Sequence, residues 1–242
     1  MLRAVANSLS SIIYPQQCRV CSGEVANTDD GVACASCWTE TRIFSGSEML
    51  CRKCGAFFAA EAAIVPVSCH KCDDHYYEKA VAVGVYEKAL AASILDLKSV
   101  PCLATRIVRA LESLPSREIF QDVDVLIPVP LSRLRGLERG FNQAEIIANA
   151  VSRSTGIPAD KLTLVRKIHT PMHRIGMDQK ARELTIHNAF EVLRPKLIAG
   201  KAAVLIDDVL TSGATASQAA KTLKKNGAAR VKVFTLARAI LH

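Results

Sequence analysis

The sequence has few aromatic side chains and no long apolar run, and both absences narrow what the chain can be. Phe, Trp and Tyr make up 5% of the 242 residues, and the basic loops show no aromatic interleaving. This argues against a groove that stacks the bases of single-stranded nucleic acid. Nothing approaches the roughly 18 consecutive apolar residues of a membrane span. Residues 2–13 have a helical period without a continuous apolar region or cleavage site, so a short helix is predicted there rather than a secretory signal.

Cysteine, by contrast, is plentiful in the first third of the chain. Eight of the nine cysteines form four C-x-x-C pairs: Cys18/Cys21, Cys34/Cys37, Cys51/Cys54 and Cys69/Cys72. Two such pairs supply the four thiolates of one tetrahedral zinc ion, so the spacing predicts two structural Zn²⁺ sites in tandem zinc ribbons. Sequential and interleaved pairings both remain open. Disulfides are the alternative, which the lack of a secretion signal disfavours.

Net charge divides the chain at about residue 76. Residues 1–76 carry 6 Lys/Arg and 8 Asp/Glu, whereas the remainder carries 25 Lys/Arg and 15 Asp/Glu. Zinc held by four thiolates makes the first part more negative still. Because nucleic-acid binding depends on Lys and Arg that neutralise phosphates, the ribbons are predicted to dock a protein rather than to hold DNA. Cys102 stands outside the pattern and is predicted to be a small buried residue.

From residue 77 onward, apolar runs of strand length alternate with helical segments. Strands are predicted at 80–86, 123–130, 162–165, 202–207 and 231–236, and helices at 89–97, 104–114, 142–154 and 216–226. This alternation predicts a parallel sheet with right-handed crossovers. We therefore predict two domains: an N-terminal helix and double zinc ribbon in residues 1–76, and an α/β domain in residues 77–242.

The most informative segment is V-L-I-D-D-V-L-T-S-G-A-T at residues 204–215. Its apolar run leads into Asp207 and Asp208 and then into a turn of small and hydroxyl residues. Ligands of α/β proteins bind at such strand ends, and the N–H groups at a following helix N-terminus bind phosphate. The two carboxylates suit sugar hydroxyls or a shared Mg²⁺. An ordinary strand–turn–helix with Thr211 as N-cap is the alternative, but two acids on a buried strand need a partner.

This segment resembles the ribose-phosphate-binding motif of the type I phosphoribosyltransferases. The resemblance implies binding of phosphoribosyl pyrophosphate (PRPP) together with Mg²⁺, and it implies that Asp207 and Asp208 are the catalytic residues, at the ribose hydroxyls. It places the 5′-phosphate in the loop of Thr211, Ser212, Gly213, Ala214 and Thr215.

A second candidate site follows the strand that ends at Pro130. Residues 131–143 contain three arginines and two glycines, a composition suited to anion capture. In phosphoribosyltransferases the loop at this place holds the pyrophosphate, so the predicted pyrophosphate residues are Ser132, Arg133, Arg135 and Arg139. A solvated basic loop is the alternative. Residues 166–182 are also basic, and they are either a mobile lid over the pyrophosphate or a surface loop.

Taken together, the cysteine pairs, P-V-P-L-S-x-x-R-x-x-x-R-G-F-N-Q and I-D-D-V-L-T-S-G-A-T resemble the ComF family over nearly the whole chain. The resemblance implies a type I phosphoribosyltransferase-like fold with an N-terminal double zinc ribbon. It also implies a bacterial cytoplasmic location and a link to the uptake of transforming DNA. Two positions depart from the family pattern, since His173 stands for Gln and Thr185 for Asn, which leaves the second substrate open.

Two functions are compatible with these residues. One is a phosphoribosyltransferase, active in nucleotide metabolism or DNA uptake, that displaces pyrophosphate from C1 of the ribose with help from Mg²⁺ and the basic loops. The other is a non-catalytic sensor of PRPP or a nucleotide phosphate whose ribbons dock a DNA-processing protein. No general base is identifiable, because His169 and His173 are candidates only by their proximity in the chain. The ligand-binding residues would serve both functions.

Overall fold

The computed structural model describes residues 16–56, 69, 72, 74–112, 115–167 and 189–240. The predicted helix at 2–13 lies outside these residues, as does nearly all of the predicted lid at 166–182. The same holds for His169, His173 and Thr185. Among the helices that are described, none is both long and apolar enough to cross a membrane.

The N-terminal region is built from short elements around its cysteines. They are β1 (Gln16–Gln17), β2 (Glu24–Val25), a 3-10 turn (Thr28–Asp30) and α1 (Ala35–Thr39), with β1 and β2 antiparallel. The only tryptophan of the chain, Trp38, is buried, and its Nε1 donates to the carbonyl oxygen of Asp30 at 2.9 Å. Such small units bury little apolar surface by themselves, so this ribbon joins the core of the larger domain.

The C-terminal region alternates strands and helices. Its strands are β3 (Ala80–Val85), β4 (Val125–Pro128), β5 (Leu164–Arg166), β6 (Phe190–Val192), β7 (Ala202–Leu210) and β8 (Arg230–Arg238). Its helices are α2 (Lys88–Asp96), α3 (Thr105–Glu112), α4 (Arg133–Arg139), α5 (Gln143–Thr155) and α6 (Ala214–Lys225), with 3-10 turns at Pro115–Phe120 and Pro195–Leu197.

The main sheet has four strands in the order β3-β8-β7-β4, and all three pairings are parallel. The predicted parallel α/β sheet is therefore confirmed. In the central strand β7, residues 202–206 are all buried, as expected of a strand covered on both faces. Val204 packs in the cluster that contains Ile147 of α5, whereas its neighbour Leu205 packs in the cluster that contains Ala219 of α6.

Two sequence predictions are wrong in detail. The strand expected at 162–165 begins only at Leu164, because the Asp160 carboxylate accepts the N–H groups of Leu162 and Thr163 at 2.9 and 3.0 Å and holds a turn there. This strand pairs antiparallel with β6 in a separate two-stranded sheet. Cys102 was predicted to be buried and is exposed.

The outer edge of the main sheet is covered by the segment that leaves the first ribbon. The N–H of Phe44 donates to the carbonyl oxygen of Val83 at 2.8 Å, and the N–H of Val85 donates to that of Arg42 at 2.9 Å. A Cβ at Gly84 would lie 2.4 Å from the Arg42 carbonyl oxygen, so the two backbones approach too closely for any side chain there. Residues 42–44 therefore occupy the place of a fifth strand beside β3.

Candidate functional site

The two adjacent acids lie where β7 outruns its neighbour β4. The pairing of β4 with β7 ends at Pro128 opposite Ile206, whereas the pairing of β7 with β8 continues to Leu210 opposite Arg238. Pro130 has no N–H with which to continue the ladder. The sequence predicted that this strand ends at residue 207. In the structure both acids lie within β7, at positions where β4 no longer pairs with it.

Burial gives Asp207 unusual electrostatics. Its Oδ1 accepts the N–H of Asp208 at 2.9 Å, and the Oδ1 of Asp208 accepts the N–H of Val209 at 2.7 Å. Burial, reinforced by the negative charge of Asp208, raises the pKa of Asp207 well above its ordinary value, while Arg166 opposes the rise. A ligand that brings a cation or hydroxyl donors would relieve the repulsion between these carboxylates.

The loop of residues 211–213 joins the acids to α6. Gly213 has a left-handed backbone (φ 81°) and is the N-cap of α6, which begins at Ala214, two residues earlier than the sequence predicted. A Cβ at Gly213 would lie 2.7 Å from Tyr77 Oη and 2.8 Å from His75 Cε1. Only glycine fits, for reasons of both conformation and space. The first N–H groups of the 12-residue α6 follow directly, in the arrangement that binds phosphate in other proteins.

A cavity of about 210 Å³ lies beside the acids. It is lined by Lys98, Val129, Pro130, Leu131, Arg135, Arg139, Asn142, Gln143, Ala144, Arg166, Asp207, Asp208 and Thr215. Four cationic side chains thus face two carboxylates. Burial, followed by the charge of Arg135, lowers the pKa of Arg166, although Asp207 opposes the change. A cavity with this balance suits a polyanion that also carries a cation or hydroxyl groups.

The structure brings together some of the sequence-predicted residues and not others. Asp207, Asp208 and Thr215 share the cavity with Arg135 and Arg139. The predicted pyrophosphate loop forms a short helix instead, α4. At its start Ser132 is buried and Arg133 is exposed, and neither lines this cavity.

Sequence reasoning gave no role to Lys98, Gln143 or Arg166 in particular. Asn142 and Gln143 were part of the quoted motif, and their placement has a local cause. Asn142 caps α5 by accepting the N–H of Ala144 at 3.1 Å, and its Nδ2 donates to the Val129 carbonyl oxygen at 3.1 Å. Gln143 Oε1 accepts from Arg139 Nη1 at 2.9 Å. These bonds tie α4 and α5 to the end of β4, and no sequence pattern indicated them.

A larger groove of about 630 Å³ separates the first ribbon from α3. Both of its arginines pair with aspartates of the groove: Arg106 with Asp30 at 3.0 Å, and Arg109 with Asp29 at 2.9 Å. Since these pairs join α3 to the first ribbon, the groove has the character of an interface between two parts of one chain.

The eight paired cysteines form two clusters. They are Cys18, Cys21, Cys34 and Cys37 in the first, and Cys51, Cys54, Cys69 and Cys72 in the second, with all sulfurs of a cluster within 4.8 Å of one another. Consecutive C-x-x-C pairs therefore share a cluster, which settles the open pairing in favour of the sequential arrangement. The nearest sulfurs of different pairs lie 3.5–3.7 Å apart, and those of Cys69 and Cys72 lie 3.0 Å apart. Zn–S bonds of about 2.3 Å in a tetrahedron require about 3.8 Å, so the donor sets fit zinc.

Backbone donors favour the thiolate form of Cys18 and Cys51, whereas burial raises the pKa of Cys37, Cys69 and Cys72. The Sγ of Cys18 accepts the N–H groups of Val20 at 3.4 Å and of Cys34 at 3.3 Å, and the Sγ of Cys51 accepts that of Cys69 at 3.4 Å. Burial opposes ionisation, yet these N–H groups lower the pKa of Cys18 to about 6. Four thiolates complete a structural zinc site and leave no open position for a substrate.

Comparison with known proteins agrees both with the two cysteine clusters and with the α/β fold. Residues 9–73 match the double zinc ribbon domain, and residues 137–240 match the phosphoribosyl transferase domain. Competence protein F of Haemophilus influenzae is 28% identical over 232 residues, which cover 92% of this chain and 97% of that protein. Over nearly its whole length the chain is therefore similar to competence protein F. It thus combines two structural zinc ribbons with a phosphoribosyltransferase-like α/β fold.

Further proteins similar to this chain carry related names. The DNA utilization protein YhgH of Escherichia coli K12 is 29% identical over 238 residues, covering 95% of this chain and all of that protein. The competence protein ComFC of Bacillus subtilis is 34% identical over 119 residues, 47% of this chain and 44% of its own.

Among solved structures, glutamine PRPP amidotransferase from B. subtilis, complexed with ADP and GMP, is 20% identical with a TM-score of 0.34. That match covers 60% of this chain, which spans about a quarter (26%) of the enzyme. Purine phosphoribosyltransferase from Pyrococcus horikoshii is 21% identical with a TM-score of 0.31, covering 53% of this chain and 67% of its own.

Proposed function

We propose that the C-terminal domain binds PRPP with Mg²⁺ through the end of β7 and the loop that follows it. The observation that carries the proposal is the cavity in which Asp207 and Asp208 face Arg135, Arg139 and Arg166. The three arginines require a ligand with several negative charges, and the two carboxylates require a bound cation or hydroxyl donors. PRPP with Mg²⁺ supplies both.

Each part of the ligand has a matching part of the site. Asp207 and Asp208 bind the ribose hydroxyls or the Mg²⁺ that the ligand shares. The loop of residues 211–215 binds the 5′-phosphate through N–H groups and hydroxyls. The pyrophosphate lies toward α4, where Arg135 and Arg139 pair with its oxygens.

A double substitution of the acids tests the proposal directly. Asp207→Asn with Asp208→Asn removes two charged ligands, and at about 1.5 kcal/mol each the affinity for Mg²⁺–PRPP should fall about 100-fold. The matched control is Asp29→Asn with Asp30→Asn, another pair of adjacent aspartates, in the groove beside the first ribbon. Calorimetry should show a loss only in the first variant, with zinc content unchanged in both. Undiminished affinity in the first variant would end the assignment.

The arginines of α4 offer a second test, because one helix supplies both the variant and its control. Arg139 lines the cavity, whereas Arg133 is exposed and does not. Arg139→Ala should weaken PRPP binding by about tenfold, the value of one charge-assisted hydrogen bond, while Arg133→Ala changes it little. Ribose 5-phosphate lacks the pyrophosphate, so neither variant should affect its binding. Equal losses for both ligands would place the pyrophosphate elsewhere.

Catalysis and sensing are separated by turnover. If the domain transfers the phosphoribosyl group, attack by a nitrogenous base at C1 releases pyrophosphate, and the arginines stabilise the departing charge. A panel of purine and pyrimidine bases with PRPP, assayed for pyrophosphate, tests this reaction. Tight binding of PRPP without release across the panel would support the sensor instead.

The family relatives named for competence and DNA utilization suggest the setting. We infer that this protein acts in the cytoplasm in DNA uptake or in the metabolism of the nucleotides it yields. The ribbons would then dock a protein of the DNA-processing machinery, since residues 1–76 carry more Asp/Glu than Lys/Arg. A fluorescent single-stranded oligonucleotide should not bind this region at physiological salt, and salt-sensitive tight binding there would contradict the inference.

A further inference from the structure

The last residue of β8, Arg238, connects the second cysteine cluster to the phosphate loop. Its side chain is buried. Nε donates to the carbonyl oxygen of Cys54 at 3.0 Å, and Nη2 lies 3.7 Å from the Cys54 sulfur. Nη1 donates to the carbonyl oxygens of Leu210, at 2.7 Å, and of Thr211. One guanidinium therefore holds a cysteine of the cluster and the start of the loop at the same time.

A second connection runs through the residues that follow Cys72. His75 hydrogen-bonds to the backbone of Ser212, with a ring N–H donating to the Ser212 carbonyl oxygen. The other ring nitrogen, Nδ1, lies 2.7 Å from Tyr77 Oη. With one ring nitrogen donating to the loop, Nδ1 is left to accept the Tyr77 hydroxyl proton.

Residues 75–77, which follow Cys72, also contact α6. The N–H of Tyr76 donates to Ser217 Oγ at 3.1 Å, and Lys221 Nζ lies 4.5 Å from the centre of the Tyr76 ring. Residues 75–77 thus touch both the loop and the first turns of the helix that follows it. The first ribbon makes its corresponding contacts with α2, where Thr41 accepts the N–H of Ala89 at 3.1 Å.

These contacts fix the direction of the loop's N–H groups. In a trans peptide the C=O and the following N–H point in opposite directions. Because Arg238 holds the Thr211 carbonyl oxygen, the Ser212 N–H faces away from Arg238. Because His75 holds the Ser212 carbonyl oxygen, the Gly213 N–H faces away from His75. Donors that are already oriented before the ligand arrives bind it without the free-energy cost of ordering the loop.

We propose that Arg238 and the His75–Tyr77 pair are positioning residues that hold the 5′-phosphate loop on the second cysteine cluster. Phosphate affinity then depends on the second ribbon and not on the first. This inference rests on the proposed function, because it concerns the same loop. It assigns the second ribbon a role in ligand binding that its four-thiolate geometry alone does not indicate.

The test compares Tyr77→Phe and Arg238→Lys with Thr41→Val in the full-length protein. Thr41 is the matched control, because its buried hydroxyl donates to the Cys37 carbonyl oxygen at 2.7 Å and links the first cluster to α2. All three variants keep every cysteine, so zinc content should remain at that of the wild type. The probe is ribose 5-phosphate, measured by calorimetry on protein whose folding is verified by its thermal transition.

We expect Arg238→Lys to weaken ribose 5-phosphate binding about tenfold and Tyr77→Phe about threefold, the loss of one or part of one hydrogen bond. Thr41→Val should leave the affinity within about twofold while lowering the melting temperature, which shows that instability alone does not mimic the effect. If Arg238→Lys does not fold, Tyr77→Phe carries the test. Wild-type affinity in folded Tyr77→Phe, or an equal loss in Thr41→Val, would overturn the inference.

A reciprocal measurement does not depend on substitutions. If the second cluster favours the ligand, the ligand must favour the second cluster to the same degree. Saturating ribose 5-phosphate should therefore slow alkylation of Cys51, Cys54, Cys69 and Cys72 in the presence of a chelator, with no change at the first cluster. Mass spectrometry of the labelled peptides reads each cluster separately. Equal protection of both clusters, or of neither, contradicts the inference.

Binding by the wild-type protein distinguishes failure of the proposed function from failure of the positioning role. If the wild-type protein binds neither ribose 5-phosphate nor PRPP, the proposed function is wrong and this inference falls with it. If the wild-type protein binds and the variants bind equally well, only the positioning role is wrong.

Discussion

The two ribbons share a ligand set but are attached to the α/β domain in different ways. The first meets α2 and its N-cap Glu87 mainly through ion pairs at the surface, with Arg42 on Glu87 at 2.6 Å and Lys88 on Glu40 at 2.5 Å, beside the single buried hydroxyl of Thr41. The second meets the phosphate loop through buried groups, Arg238 and Tyr77. The same C-x-x-C pairs therefore predict a zinc site without predicting what that site supports.

The largest effect should follow from the loss of one cluster. Structural zinc sites contribute about 10–16 kcal/mol to the folding of isolated zinc-finger peptides, so Cys37→Ser and Cys72→Ser should each unfold their own ribbon. Hydrogen exchange will show where the damage spreads. Cys37→Ser should speed exchange in α2, whereas Cys72→Ser should speed exchange in residues 211–213. The same pattern in both variants would remove the distinction between the ribbons.

A smaller effect is expected for a methyl group added to the phosphate loop. Gly213→Ala introduces a left-handed alanine, which costs about 1–2 kcal/mol, and a Cβ 2.7 Å from Tyr77 Oη, which adds about 1–3 kcal/mol of overpacking. The control is Gly156→Ala, which has a similar φ of 76° and no atom within 4 Å of its Cβ. Urea unfolding should show about twice the loss in Gly213→Ala. Equal losses of stability in the two variants would mean that Tyr77 moves away from the added Cβ without a cost in free energy.

The raised pKa of Asp207 predicts a gain in stability on its removal. A carboxyl whose pKa is higher in the folded than in the unfolded protein opposes folding once it ionises, so stability is lost as pH rises through the raised pKa. Asp207→Asn should therefore melt at a higher temperature than the ligand-free wild type at pH 7. The difference should shrink as the pH falls toward the ordinary value of 3.8. A lower melting temperature at pH 7 would show that ionised Asp207 is stabilised by its neighbours.

The smallest effect is expected at the first ribbon's ion pair. Glu87→Gln removes a partly exposed pair whose Arg42 side chain is 46% accessible, so stability should fall by only about 0.2–1 kcal/mol. Ribose 5-phosphate affinity should stay the same, because the hydrogen bonds of the Glu87 carboxylate go to Arg42 and not to residues 211–213. Thermal unfolding and calorimetry measure both quantities. A clear loss of affinity would connect the first ribbon to the site after all.

The fold could be predicted from the sequence more completely than the residues of the site. Apolar runs such as residues 202–206 predict a buried parallel strand, and C-x-x-C pairs predict metal clusters, because both patterns lie within a short stretch of sequence. The antiparallel pairing of β5 with β6 was missed, since the two strands lie far apart in the chain. Arg166 and Gln143 carry no signature, and their position follows from how β4, β5 and α5 pack. Arg238 is an ordinary basic residue at a strand end until the fold brings Cys54 against it.

The segment of residues 42–44, which lies beside β3, determines whether the C-terminal half can be produced as a separate fragment. A fragment that starts at residue 77 would lose it and would expose the N–H of Val85 and the carbonyl oxygen of Val83 along an apolar strand. Unpaired edges of this kind recruit strands from other molecules. The isolated phosphoribosyltransferase-like half would therefore tend to aggregate, and the first ribbon protects it as a covering for its open edge.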